Sequence, residues 1–265
     1  MTKRVKVIVA LDLLFLLLLI TAGAVNNKII SEILRYGAFV IPILLGLVYI
    51  YLNKCDFDFP LSILPKKKTC PKALLIFAPA IALILLLALG GSAIKEALLG
   101  AAEASLDEGF VKALILHALI PSVLEEMLFR YVPIRLLGKN YRALFLSALM
   151  FAFAHTDAFA LPYTFAAGVL LGAIVMITES PMLAVALHLL NNSASLAITY
   201  YPDAAPAVLI IIGVAALISA ALFFAFRKKF IPLIKDIECT EEASYLPALA
   251  FIGASLFIII TELFI

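Results

Sequence analysis

Residues 110–133 read FVKALILHALIPSVLEEMLFRYVP. The run is long enough to cross the hydrocarbon core of a bilayer, which takes about 20 residues at ~1.5 Å each. It nevertheless carries Glu125, Glu126 and Arg130. An ionisable group at the centre of a span costs on the order of 3 kcal/mol on insertion scales, so these three must be offset by pairing or by a wet cavity. Glu126 and Arg130 are four residues apart, which stacks them on one helix face and allows a charge-assisted bond. Glu125 points about 100° away and needs a different partner.

The rest of the chain is written in the same idiom. Of 265 residues, 65% are hydrophobic and 14% charged, which places the chain in a bilayer rather than among ordinary soluble domains. A nucleic-acid partner is not expected; membrane lipid is. Apolar runs predict an all-α, polytopic transmembrane bundle of about eight or nine spans. The spans are Val5–Val25, Tyr36–Leu52, Ala73–Gly90, Phe110–Pro133, Tyr141–His155, Ala158–Ile177, Pro181–Tyr200, Ala204–Phe226 and Tyr245–Phe264. Eight spans result if a short segment such as Tyr141–His155 is re-entrant. No internal repeat or long linker divides the chain, so residues 1–265 read as a single membrane domain.

Basic residues give the orientation. With the N-terminus cytoplasmic, Lys3, Arg4 and Lys6, the Lys54–Lys72 loop, Arg135, Lys139 and Arg142, and Arg227–Lys235 all fall inside. Lys28, Arg35, Lys95 and Lys112 fall outside, in accord with the positive-inside rule. The opening resembles a secretory signal, but its apolar run is long and holds Asp12, so it is expected to stay as the first span. Cys55, Cys70 and Cys239 map to cytoplasmic loops without close pairing and read as free thiols. The stretch SAIKEALLGAAEASLDEG, residues 92–109, has apolar residues at helical spacing. It reads as an amphipathic helix on the outer surface or as a solvated loop helix.

Two further spans carry polar groups one turn apart. FAFAH sets Phe151 before His155, and HLLNN sets His188 before Asn192, so each pair lies on one helix face. Taken singly, each has a bland reading: an intramembrane Glu/Arg pair can be a packing salt bridge, and a lone histidine or asparagine can be interhelical glue. Together the groups include a carboxylate base, imidazole partners and an amide donor, the parts of a hydrolytic site. His117, two turns before Glu125, is a further candidate for the same cavity. Asp157 and Asp203 sit near outer ends, Glu179 belongs to the inner turn before Pro181, and Asp12 and Glu262 have no evident role.

EEMLFR (Glu125–Arg130), FAFAH (Phe151–His155) and HLLNN (His188–Asn192) resemble the three signature motifs of the CAAX prenyl protease type II family, which includes bacteriocin-processing enzymes. The motifs occur in order, each on a predicted membrane helix, and the matching core runs from Phe110 to Tyr200, about a third of the chain. The resemblance implies an intramembrane endopeptidase of the glutamate type, with a conical intramembrane cavity. Carried over motif by motif, Glu125 is the general base, His155 positions the water, and His188 with Asn192 steadies the oxyanion. Glu126, Arg130 and Phe151 support them. The implied substrates have a prenylated CAAX or membrane-inserted C-terminal segment. The implied membrane is the plasma membrane in a microbe or the endoplasmic reticulum in a eukaryote.

Depth tests whether the helices can meet. Glu125 is roughly 15 Å along its helix from Arg135, and His188 roughly 10 Å from Pro181. His155 is about 21 Å beyond Tyr141, so its helix is expected to start later or to tilt. No cofactor is expected. The alternative is a zinc metalloprotease with Glu125, His155 and His188 as ligands, although no His-Glu-x-x-His element is present. Two other classes stay open: a proton- or ion-coupled transporter, against which no inverted repeat is found, and a catalytically silent scaffold.

Overall fold

The computed structural model describes residues 3–53, 62, 64–65, 84, 108–155, 157, 159–235 and 237. The expected span over residues 73–90 except Ile84, the span over 245–264, nearly all of the amphipathic segment, the three cysteines and Glu262 lie outside the described residues. Within them every regular element is helical.

The chain enters as a helical hairpin. Helix α1 (Lys3–Ala24) and helix α2 (Lys28–Leu52) are joined by three residues. Asn27 caps α2 by accepting the Ile30 N–H at 3.1 Å, and Ser31 Oγ donates to the Ala22 carbonyl at 2.8 Å across the turn. Such caps satisfy backbone groups that a helix end leaves unpaired. Because of this cap α2 begins eight residues before the expected Tyr36. Glu32 and Arg35 are carried on a helix rather than on a loop.

Residues 110–137 form one continuous helix, α3, on the order of 40 Å long. It is not uniform. Its backbone opens into π geometry at Leu114–Leu119 and again at Met127–Tyr131, and each wide turn stands just before a proline, Pro121 and Pro133. A proline ring crowds the carbonyl four residues back and offers it no N–H, and a wide turn relieves that crowding. For Pro133 the carbonyl left without its usual helical donor is that of Phe129. The buried Ser147 hydroxyl donates to it from the next helix.

Three more long helices complete the described bundle: α4 (Tyr141–Ala154), α5 (Leu161–Thr178) and α6 (Met182–Tyr200). A short 3-10 turn, Pro202–Ala204, leads into α7 (Ala205–Lys235). Asn140 caps α4, accepting the Ala143 N–H at 2.8 Å. Glycine lets α4 and α5 approach closely: a Cβ on Gly168 would come within 2.8 Å of the Ala148 Cα. The α5–α6 turn is sharp because Glu179 takes a left-handed conformation, φ 56°.

Five helices are long and apolar enough to cross a membrane: Lys3–Ala24, Lys28–Leu52, Leu161–Thr178, Met182–Tyr200 and Pro202–Leu222. Helix α4 is apolar but shorter, at 14 residues; at ~21 Å it falls short of the ~30 Å hydrocarbon core. Of the eight or nine expected spans, five are thus helices of spanning length among the described residues. Turns sort to two ends, as alternating spans require. Arg4 reaches the Leu136 carbonyl at 3.4 Å, and Ser62 N–H donates to the Glu179 carbonyl at 2.9 Å. At the other end Tyr200 Oη donates to the Glu108 carbonyl at 2.6 Å.

One apolar core joins α1, α2, α3 and α4, running through Ile8, Phe15, Phe129, Met150 and Phe151. Phe15 meets Phe129 edge-on with ring centres 5.6 Å apart, and Phe129 meets Phe151 at 5.8 Å. This aromatic chain carries the position of α1 through α3 to the polar residues on α4.

Candidate active site

Burial sets the terms. Glu126 and Arg130 have no exposed surface, and a buried charge survives only when it is paired. Arg130 Nη1 stands 2.9 Å from Glu126 Oε1, as the four-residue spacing predicts. The guanidinium carbon also lies 3.8 Å over the centre of the Phe151 ring, a cation–π contact across helices. Arg130 is therefore held from two sides, by its own helix and by α4.

Glu126 has a second partner. The same oxygen, Oε1, lies 2.8 Å from His188 Nδ1 on α6. A carboxylate only accepts, so Nδ1 carries the proton in that bond. The other ring nitrogen, Nε2, then faces Glu125 Oε2 at 3.6 Å. Two lone pairs so placed repel. A proton between them, on the imidazole, on the carboxyl or on a bridging water, removes the repulsion. Glu125 is half-buried; it reaches His188 rather than Arg130, in keeping with its turn of about 100° from Glu126.

Helix α4 ends at the site. Its C-terminal cap residue is His155. The helix does start at Tyr141, so the expected later start is not found. His155 Nδ1 donates to the Phe151 carbonyl at 2.8 Å, which leaves Nε2 as the accepting nitrogen. The Phe151 ring packs edge-on against both imidazoles, with centres 4.6 Å from His155 and 5.8 Å from His188. One side chain thus touches Arg130, His155 and His188, and the three motifs meet around it.

Asn192 lies one turn beyond His188 on α6. Its Nδ2 is 3.5 Å from Ser122 Oγ, and its Oδ1 accepts from Asn191 Nδ2 at 3.4 Å. Ser122 is wholly buried and is not singled out by the motif spacing. The signal available in sequence was its place one turn before Glu126, the only small hydroxyl on that face of α3.

Residues 107–194 match the Rce1-like family of type II CAAX prenyl endopeptidases. The Rce1-like segment covers all three motifs and leaves out α1, α2 and α7. With the long apolar helices, the match marks an integral membrane protein whose central helices resemble those of a protease family. No curated protein and no solved structure matches the chain.

His117 lies apart from the Rce1-like motif residues. Its Nε2 pairs with Glu108 Oε1, near the Tyr200 end of the bundle, and the ring is exposed. The wide turn at Leu114–Leu119 intervenes in the register from His117 to Glu125, so two turns of regular helix do not describe their separation. An open apolar groove of about 600 Å³ lies on that same flank, lined by Phe110, Val111, Ile115, Leu116 and Tyr201 among others. None of the three motifs lines it. Among the described residues no three His, Cys, Asp or Glu side chains are grouped so as to hold a metal ion.

Proposed function

We propose that the protein is an intramembrane endopeptidase that uses Glu125 to activate water, and that it cleaves near the C-terminus of prenylated CAAX or membrane-inserted substrates. The single observation that carries this reading is the placement of His188 between Glu125 and Glu126, 3.6 and 2.8 Å away, inside a segment similar to Rce1-like endopeptidases.

The chemistry follows from the donors and acceptors. A water that donates one proton toward Glu125 and the other toward His155 Nε2 presents a lone pair to a substrate carbonyl. Its oxygen forms the new bond to the carbonyl carbon while its proton passes to Glu125. The Asn192 amide and His188 Nε2, whose 3.6 Å separation from Glu125 is too long for a hydrogen bond and leaves it free for substrate, supply N–H groups to the oxygen that becomes negative; each such donor typically contributes a few kcal/mol. Glu125 then returns the proton to the leaving amine as the C–N bond breaks. Glu126 and Arg130 brace the site: Glu126 fixes the His188 ring, and Arg130 neutralises Glu126.

The basic residues Arg4, Arg135, Lys139 and Arg142 support a cytoplasmic N-terminus. Substrate would then enter from the end of the bundle nearest Arg135 and Pro181. The test uses the purified chain in detergent with a farnesylated peptide ending in a CAAX sequence, alongside mass spectrometry of membrane protein C-termini in cells with and without the protein. The expected result is cleavage by the wild type, none by Glu125→Gln at unchanged melting temperature, and persistence of cleavage in chelator. Absence of both peptide cleavage and shortened C-termini overturns the proposal. Chelator-sensitive, zinc-restored cleavage replaces the water-only scheme with the zinc alternative.

A further inference from the structure

Ser122 lies outside the three motifs yet sits against one of their residues. Its hydroxyl has one proton to give and two lone pairs. The proton is committed: Oγ donates to the Ala118 carbonyl one turn back, at 2.7 Å, the usual bond of a serine inside a helix. The side chain is wholly buried, so bulk water does not compete for it. What remains at Oγ is acceptor only.

This has a directional consequence for Asn192. A carboxamide has a donating and an accepting end of nearly the same shape, and a half-turn about its last bond exchanges them. An acceptor-only neighbour takes the NH₂ end, and Asn192 Nδ2 is the atom that faces Ser122 Oγ, at 3.5 Å. The opposite end meets a donor, Asn191 Nδ2, 3.4 Å from Asn192 Oδ1. Asn191 is itself a carboxamide that can present either end, so Ser122 is the neighbour that selects this orientation. Of the amide's two N–H groups, one is directed at Ser122 and the second stays available to a reacting oxygen.

We propose that Ser122 is a positioning residue that locks the Asn192 carboxamide with its N–H toward the reacting carbonyl. This rests on the endopeptidase reading above and names how one donor of that site is oriented. Without the serine oxygen the amide can turn its carbonyl toward the developing negative charge, where it repels instead of stabilising. Substrate contacts made before the charge develops are unaffected, so the deficit belongs to turnover rather than to binding.

The experiment measures kcat and KM for the farnesylated CAAX peptide with wild type, Ser122→Ala, Ser122→Thr, Asn192→Ala and the Ser122→Ala/Asn192→Ala double variant, each with its melting temperature in the same detergent. Ser122→Ala is expected to lower kcat about tenfold at nearly constant KM, less than the ~100-fold or more that follows loss of a whole oxyanion donor. Ser122→Thr, which keeps the hydroxyl, restores kcat to within about threefold of wild type. The double variant is no slower than Asn192→Ala alone, because without the amide there is nothing left to orient. Wild-type kcat in Ser122→Ala, or a double variant slower than Asn192→Ala by the full single-variant factor, overturns the proposal while leaving the endopeptidase reading in place. If Ser122→Ala does not fold, the Ser122→Thr and Ser122→Cys pair decides. A hydroxyl-specific loss in Cys with rescue in Thr supports the role, and equal activity of the two overturns it. A wild-type chain that cleaves nothing removes the endopeptidase reading itself.

Discussion

The Arg130 guanidinium carbon lies 3.8 Å above the centre of the Phe151 ring. The same ring meets His155 and His188 edge-on, so Phe151 couples a buried charge on α3 to both imidazoles. Phe151→Ala is expected to destabilise the protein by about 3–5 kcal/mol through lost packing, and to lower activity beyond that by freeing His155. Phe151→Leu keeps most of the volume and loses the cation–π contact, for about 1–2 kcal/mol. Thermal unfolding in detergent beside peptide cleavage measures both; equal stability of the Ala and Leu variants would refute the assignment.

Glu126 Oε1 forms an ion pair with Arg130 at 2.9 Å and accepts from His188 Nδ1 at 2.8 Å. Removing Arg130 alone strands a buried carboxylate, and Arg130→Ala is expected to cost about 3–5 kcal/mol. The pair Arg130→Met with Glu126→Gln removes both charges and keeps an acceptor for His188 Nδ1, so it should be the more stable of the two. Guanidinium-free melts in detergent, scored against the single variants, check the ordering.

Gly168 and Gly172 both face α4 but meet different atoms. A Cβ at Gly168 would press on the Ala148 backbone at 2.8 Å, whereas one at Gly172 would meet the mobile end of Leu144 at 2.7 Å. Gly168→Ala should therefore destabilise by about 1–3 kcal/mol. Gly172→Ala should be far milder, because Leu144 can rotate away and the alanine regains about 1 kcal/mol of helix propensity. Parallel melting curves of the two variants test the contrast.

Asp12 is buried in α1, and its Oδ2 has no hydrogen-bond partner. Burying such a group without a bond costs about 1–3 kcal/mol in proteins. Asp12→Leu is expected to raise the melting temperature and to leave cleavage of the CAAX peptide unchanged, since among the described residues no hydrogen bond or ion pair joins Asp12 to the motif residues. A lower melting temperature would show that the carboxyl serves the hairpin.

How much of the site was legible in advance follows from the range of each interaction. The Glu126–Arg130 bond is a four-residue contact on one helix, and helical pitch alone predicts it. The pairs Phe151/His155 and His188/Asn192 were readable for the same reason. The bond from His188 to Glu126 spans 62 residues, and no spacing rule reaches that far. His117 shows the opposite case: regular helical register pointed it toward Glu125, but it pairs with Glu108 beyond a wide turn, next to Pro121, that the apolar pattern did not reveal.

Sequence alone determined that this chain spans a membrane as helices, because apolar run length and basic-residue placement are read directly against the thickness and charge asymmetry of a bilayer. It also determined which polar residues share a helix face. Only the tertiary structure decided which atoms meet. Packing of α3, α4 and α6 around Phe151 brings Glu125, Glu126 and His188 together, draws in Ser122, and leaves His117 outside. Such meetings depend on crossing geometry and local helix width, which arise from the packing of whole helices and not from any one stretch of chain.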